Sequence, residues 1–293
     1  MDKLSVLYVI LAGMSWGSAG IFSRFLQNCG FSAFQMALGR NCFAAVFMLL
    51  FVLLYNPKLL KIKPKKLLLF ALSGFGLLGT AAFYYWAMEL TSFSTAVVLM
   101  YTAPVIVMIV SVLFLGEKFT IPKLVGIVGA LIGCGLVTGI IGNLRFSIMG
   151  IIVGLLSGIS YSIYNICVKI EMQRGDDPIC ATTYCFIFAF LASLVVGSPI
   201  QSLHMVAAAP LPTSLLIAGM GFFIGAFPYL IYTFAMRKIP AGVASSMACI
   251  EPMTATIISV LFLGEELSGF AILGIVFILG SVILLSREEE NQK

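Results

Sequence analysis

The chain has 293 residues, 61% of them hydrophobic and only 10% charged, with a net charge of +5. A water-soluble domain carries roughly a quarter charged residues, so this chain lacks the polar surface to face water on all sides. That excludes a free soluble enzyme or binding module and points to an integral membrane protein.

Charged residues mark out the predicted elements in chain order, each apolar run being long enough for a hydrocarbon core of about 30 Å, which takes about 20 helical residues. Uncharged runs extend over Leu4–Ser23, Leu67–Met88, Leu90–Gly116, Leu124–Leu144 and Phe146–Val168. Asn41–Pro57 is short, so that span is expected to begin near Ala33 and to include Arg40. Pro178–Met236 is too long for one span, and AAAPLPTS (Ala207–Ser214) supplies the loop that makes it two. Ala241–Gly264 carries one acid, Glu251, near its middle, and Leu267–Ser286 closes the series at ten helices. Membrane barrels need alternating segments rather than continuous apolar runs, so the fold class is all-α integral membrane.

With the amino terminus in the cytoplasm, 14 of the 17 lysines and arginines fall on the cytoplasmic side, leaving Arg24, Arg40 and Arg145 on or towards the far side. Such a bias orients the chain with both termini cytoplasmic, in the cell membrane. It also accounts for the positive charge without a nucleic-acid partner. The cluster Lys58–Lys66 reads as an orientation signal, with contact to anionic lipid as the alternative.

The phrase SVLFLGE occurs twice, at Ser111–Glu117 and Ser259–Glu265, 148 positions apart. At that offset Pro104 meets Pro252 and Gly126 meets Gly274, and LAGMSW (Leu11–Trp16) resembles LLSGISY (Leu155–Tyr161) at an offset of 145. Two halves of five helices, 1–144 and 145–293, must point in opposite directions because five is odd. Inverted repeats of this kind build secondary transporters, with the site between the halves near the bilayer midplane.

Ten helices in two halves, each with a proline shortly before an LGE helix end (Pro104–Glu117, Pro252–Glu265) and supported by GMSWG (Gly13–Gly17), resemble the drug/metabolite transporter superfamily, in its EamA-type ten-helix branch. The resemblance implies a central site lined by helices 1, 3, 4, 6, 8 and 9. It also implies export, with amino acids or similar amphiphilic metabolites as cargo.

Glu251 is the first candidate, because an acid at the bilayer centre is costly unless paired, protonated or hydrated. It would bind cargo and couple its movement to a proton; a structural carboxyl is the alternative. Its repeat counterpart is Ala103. Arg40 is read as a partner of Glu89 or as a snorkelling side chain, with a cargo carboxylate as the other reading. Trp16, Tyr101, Tyr161 and Trp86 are candidate aromatic contacts, and Asn165 a hydrogen-bonding one; packing between helices is the alternative for each. Pro104 and Pro252 remove backbone donors and would act as hinges or as static kinks. Glu117 and Glu265 end helices near a membrane face and read as structural, in the turn that follows.

Negative findings narrow the field. No P-loop sequence is present, and GFGLLG (Gly74–Gly79) lies inside an apolar run rather than in a strand–turn–helix, so it is no dinucleotide fingerprint. Seven scattered cysteines show no C-x-x-C, and there is one histidine, His204, so no metal, cofactor or disulfide framework is expected. The reading is a secondary transporter, not an enzyme, that moves a small polar or aromatic metabolite by alternating access in exchange for protons. A carrier of organic cations, with Glu251 as counter-charge in an aromatic cage, is the second reading. A membrane enzyme or non-transporting receptor is a third.

Overall fold

The computed structural model describes residues 3–139, 147–208, 210–263 and 268–291. The boundary at 144/145, Arg145 and Glu265 lie outside them. Among the described residues there is no strand. Nine helical segments are long and apolar enough to cross a membrane, and a tenth, Ile121–Val137, is shorter.

We number the spans α1 (Lys3–Asn28), α2 (Ala33–Tyr55), α3 (Pro64–Leu90), α4 (Phe93–Met100 and Ala103–Phe114) and α5 (Ile121–Val137). Then follow α6 (Ile148–Gln173), α7 (Pro178–Val196), α8 (Leu211–Met236), α9 (Ala241–Met247 and Ile250–Leu263) and α10 (Gly269–Asn291). Start signals are local. Ser32 caps α2 with a reciprocal capping box through Gln35, and Thr120, Ser147 and Asp177 cap α5, α6 and α7. Each cap satisfies amide groups that the first turn leaves open.

One expected loop is helical instead. In AAAPLPTS, Ala207 and Ala208 end a short helix Pro199–Ala208, Pro210–Ser214 lie in the next helix, Pro210–Gly219, and Ala209 lies outside the described residues. Proline at a first helical position starts a turn without losing a hydrogen bond, and the alanines favour helix. The helix before this stretch ends at Val196, and Ser198 in the link to Pro199 has φ 47°.

Side chains such as Leu54 and Val195 are almost fully exposed on the outside of the bundle, as lipid-facing positions must be. The interior follows a two-fold pattern that matches the sequence offsets. Gly13 of α1 lies against the Ala248 carbonyl of α9, where an added Cβ would sit 3.4 Å from it. Its counterpart Gly158 of α6 lies against the Met100 carbonyl of α4, at 3.1 Å. Gly126 of α5 faces Leu285 of α10 at 2.7 Å, and Gly274 of α10 faces Val137 of α5 at 2.6 Å. Small residues let helix backbones approach where lipid supplies no hydrophobic drive.

The prolines break α4 and α9 at matching places, Tyr101–Thr102 and Ala248–Cys249. Pro104 cannot donate to the Met100 carbonyl, nor Pro252 to that of Ala248. α8 is interrupted differently, by a π-helical stretch at Met220–Ala226 just before Pro228.

Candidate functional site

The breaks in α4 and α9 meet beside the middle of α1. There a cavity of about 40 Å³ is lined by Trp16, Arg40, Tyr84, Tyr161, Tyr229 and Glu251, among others. A smaller hollow of about 10 Å³ continues from Glu251 towards Ser23 and Met88, away from the face that carries both termini. On the same measure a water occupies about 10–15 Å³, so the cavity holds a few waters, and the helices must separate to admit a metabolite. A larger hollow of about 240 Å³ between α2, α7 and α8 has no charged lining residue and offers nothing to a polar cargo.

Glu251 opens the second segment of α9, and Tyr101 faces it from the break in α4. The Tyr101 hydroxyl stands 2.8 Å from Glu251 Oε2 and 2.9 Å from the Ala248 carbonyl oxygen, which Pro252 cannot serve and which accepts from the Glu251 amide at 2.9 Å. One phenolic proton can be donated to one acceptor, and an ionised carboxylate only accepts. With the Ala248 carbonyl served by the Glu251 amide, Tyr101 can donate to an ionised Glu251 carboxylate, or accept from a protonated carboxyl and donate to Ala248, so the arrangement accommodates both states.

Arg40 of α2 is 4% exposed, so it neither snorkels nor reaches Glu89, which accepts from the Ala33 amide at 3.2 Å. Its Nε and Nη2 donate to Asn41 Oδ1 at 3.2 and 3.0 Å, and its guanidinium lies over the Tyr229 ring, 5.8 Å from the centroid. A carboxylate and a guanidinium from opposite halves therefore line one water-sized cavity. Trp16 packs edge-on to Tyr229 at 4.9 Å, and its buried indole N–H has no hydrogen-bond partner.

The structure thus brings Trp16, Tyr101, Tyr161 and Glu251 to one place, Tyr101 through its bond to Glu251. Asn165 is elsewhere engaged: Nδ2 donates to the Tyr161 carbonyl at 2.8 Å and Oδ1 accepts from Tyr232 at 2.6 Å. Trp86 packs on Phe34 at 5.8 Å and does not line the cavity. Arg40 adds α2 to the helices around the site. Tyr84 and Tyr85, which the sequence also places on a helix of the cavity, line it as well, and so does Tyr229, which no spacing in the sequence separates from other buried tyrosines. Among the described residues no cluster of His, Cys, Asp or Glu is arranged to hold a metal.

A second polar cluster lies at the termini-bearing face. Glu117, at the end of the first SVLFLGE, does not act in its own turn: Oε1 accepts from the Ala241 amide at 2.7 Å, at the start of α9 in the other half. Lys169 of α6 donates to the Met236 and Ile239 carbonyls at 3.0 and 2.7 Å, at the end of α8. A carboxylate at a helix N-terminus and an ammonium at a C-terminus both suit the helix dipole. Burial pushes the Glu117 carboxyl above its ordinary value of 4.5, against the opposing pull of the Ala241 amide, Lys169 and Lys123.

Inverted halves that enclose a charged cavity, with helices broken beside it and a polar cluster at one face, define a membrane transporter. The chain belongs to the EamA-like transporter family, within the drug/metabolite transporter superfamily; the family matches residues 3–139 and again 148–287. It is similar to an uncharacterized transporter of Clostridium kluyveri, 29% identical over 98% of this chain and 95% of that one. A protein of Streptantibioticus cattleyicolor, described as a probable terminal-alkyne amino-acid exporter, is 22% identical over 66% of this chain and 64% of its own. One crystal structure superposes with a TM-score of 0.80 at 15% identity, covering all of both chains; it shares the fold.

Proposed function

We propose that the protein exports a small zwitterionic metabolite, an amino acid or a close analogue, by alternating access in exchange for protons. The observation that carries this reading is the pairing of Arg40 and Glu251 across one cavity. A zwitterion offers a carboxylate to Arg40, which is suited to it by its planar fork, and an ammonium to Glu251. The unpartnered Trp16 N–H is a further donor to the carboxylate, and the rings around it accept an apolar or aromatic side chain. When cargo leaves, the carboxyl takes a proton, which the hydrogen bonds around Tyr101 accommodate. The description of the Streptantibioticus relative agrees with this cargo class.

Access alternates as the two halves, 1–144 and 145–293, rock about the breaks at Pro104 and Pro252. The termini-bearing face, cytoplasmic by the distribution of basic residues, is closed by Glu117 and Lys169 in this conformation. Arg24 is the repeat counterpart of Lys169 at an offset of 145 and is exposed. In the opposite state it meets the carbonyls at Met88 and Thr91, the counterparts of Met236 and Ile239.

An organic-cation carrier is the second reading, favoured by the ring-lined cavity. Arg40 opposes it, because two like charges 4 Å apart repel by about 4 kcal/mol at an effective dielectric of 20. The test is uptake of pooled amino acids and of pooled organic cations into proteoliposomes, with and without a pH gradient. Amino-acid flux driven by the gradient, lost in Glu251→Gln and reduced about tenfold or more in Arg40→Gln, is the expected result. Cation flux indifferent to Arg40→Gln would establish the second reading instead.

A further inference from the structure

A second acid lies in the membrane region, and neither the repeat nor the cavity accounts for it. Glu171, near the end of α6, is 0% exposed, and neither of its carboxyl oxygens has a hydrogen-bond partner. The turn that ends α6 buries it. Gly175, at φ +77°, lets the chain fold back, and the Asp176 amide donates to the Glu171 carbonyl at 3.1 Å. Asp176 then pairs with Lys66 at the start of α3, so the pair roofs the site on the termini-bearing face.

The surroundings supply no counter-charge inside the roof. The Ser73 hydroxyl of α3, which faces Glu171, donates to the Phe70 carbonyl at 2.9 Å. Cys167 on α6 and Cys180 and Cys185 on α7 are its other titratable neighbours. Arg174 and the Lys66–Asp176 pair sit at the edge, and Arg237 of α8 is turned to Asp177 at 3.6 Å. Ionising the carboxyl with only the Ser73 hydroxyl able to turn to it costs several kcal/mol in such a place, so ionisation goes with opening of the roof. A purely structural acid would be hydrogen-bonded, and a methionine of similar size would pack at less cost.

The same side of α6 leads inwards. Two turns nearer the cavity, on the Glu171 face, Tyr164 is buried with its hydroxyl also unpartnered. Its ring stacks on that of Tyr161 with centroids 6.4 Å apart, and Tyr161 lines the cavity that holds Glu251. The rise along α6 from Glu171 to Tyr164 is about 10 Å, so a proton crosses it when water enters between the two unsatisfied groups.

We propose that Glu171 is a proton-exchange site, separate from Glu251, which passes protons between the termini-bearing face and the central cavity along the Tyr164–Tyr161 side of α6. As the Lys66–Asp176 roof opens, Glu171 releases its proton to water on the termini-bearing face and takes another from the protonated Glu251 along the Tyr164–Tyr161 side before the roof closes, so one proton has crossed and no bare anion is left inside. The inference deepens the proton coupling proposed above, and rests on that reading only for its use in transport.

The test is difference infrared spectroscopy of the full chain in lipid vesicles, without cargo, stepped between about pH 5 and about pH 9, a range that reaches the values known for buried acids. The expected result is a titrating protonated-carboxyl signal that disappears in Glu171→Gln and persists in Glu251→Gln. If Glu171→Gln fails to fold, Glu171→Asp keeps a carboxyl and is expected to move the same signal. A carboxyl signal assigned to Glu171 that does not titrate, or no signal lost in Glu171→Gln, overturns the site. Tyr164→Phe is expected to slow deuterium exchange at the Glu251 carboxyl about tenfold, as loss of one hydrogen-bonding group would; unchanged exchange overturns the route. Loss of the Glu251 signal alone would sink the coupling proposed for Glu251 and leave this site standing.

Discussion

Tyr101 occupies the point where the repeat is broken by chemistry. Its counterpart is Cys249 and that of Glu251 is Ala103, so a hydroxyl and a carboxyl meet where the other copies hold a thiol and a methyl. Removing the hydroxyl in Tyr101→Phe leaves the Glu251 carboxyl without its side-chain partner, while the Ala248 carbonyl keeps the Glu251 amide. A buried group left unsatisfied costs about 1–3 kcal/mol. The expected outcome is a loss of thermal stability of that size for the detergent-solubilised protein, together with a displaced pH profile of exchange. An unchanged profile would separate Tyr101 from the proton. Glu251 was legible in the sequence because a single acid inside a long apolar run stands out. Arg40 was legible as a charge but not in its direction, since a guanidinium at that depth can turn to the interface or inwards. Glu171 sits beside Lys169 and Arg174, and in sequence this looks like a solvated helix end.

Helices are held by close contact at glycine, and the cost of spoiling a contact depends on what the new methyl meets. α3 and α6 run antiparallel along their full lengths, from the Lys66–Asp176 pair to the contact of Gly150 with Thr91. Midway, a Cβ on Gly76 would fall 2.8 Å from the Tyr164 amide nitrogen and 2.9 Å from the Ser160 carbonyl oxygen. Both are backbone atoms and cannot swing aside. Gly76→Ala is expected to destabilise the protein by about 1–3 kcal/mol, as overpacking does. Gly20→Ala, with nothing within 4 Å, is expected to be neutral or slightly stabilising. Equal denaturation curves for the two variants would show that α3 and α6 can move apart freely. At this scale most of the pattern was readable: spans, small-residue spacing and the two prolines all lie in short windows. The helical course of AAAPLPTS was not, because a turn signal and a helix start use the same proline.

For the whole molecule, one contact at the termini-bearing face crosses between the halves, Glu117 on the start of α9, and another ties two helices of the second half, Lys169 on the end of α8. In the proposed cycle, closure of that face rests on these three charged hydrogen bonds. A cysteine introduced as Val243→Cys, behind this seal, reports its opening by thiol labelling. Lys169→Gln is expected to raise the labelling rate about tenfold or more, the worth of a charged hydrogen bond, and Arg24→Gln to lower it. Glu117 adds a pH dependence whose sign follows from linkage. Its carboxyl is raised above 4.5 when the face is closed and returns to its ordinary value when opening solvates it. Closure therefore binds protons. Acid favours the closed face, and this contribution is lost as pH rises through the raised value. Labelling is expected to slow at acid pH relative to Glu117→Gln at the same pH, so that the thiol's own ionisation cancels. Equal ratios at every pH would remove Glu117 from the seal.

By itself the sequence determined the solvent, the spans, the duplication and one acid at mid-membrane. These are properties of windows a few residues to one helix long, and composition or spacing expresses them directly. Only the tertiary structure decided which face of each helix points inwards. In a soluble helix a polar stripe marks the side turned to water. Here lipid-facing and helix-facing sides are both apolar, so rotation about the axis leaves no trace in hydropathy. The meeting of Arg40 with Glu251, the engagement of Asn165 by Tyr232, the isolation of Glu171 and the reach of Glu117 into the other half all depend on that rotation. They are set by glycine contacts between helices far apart in the chain.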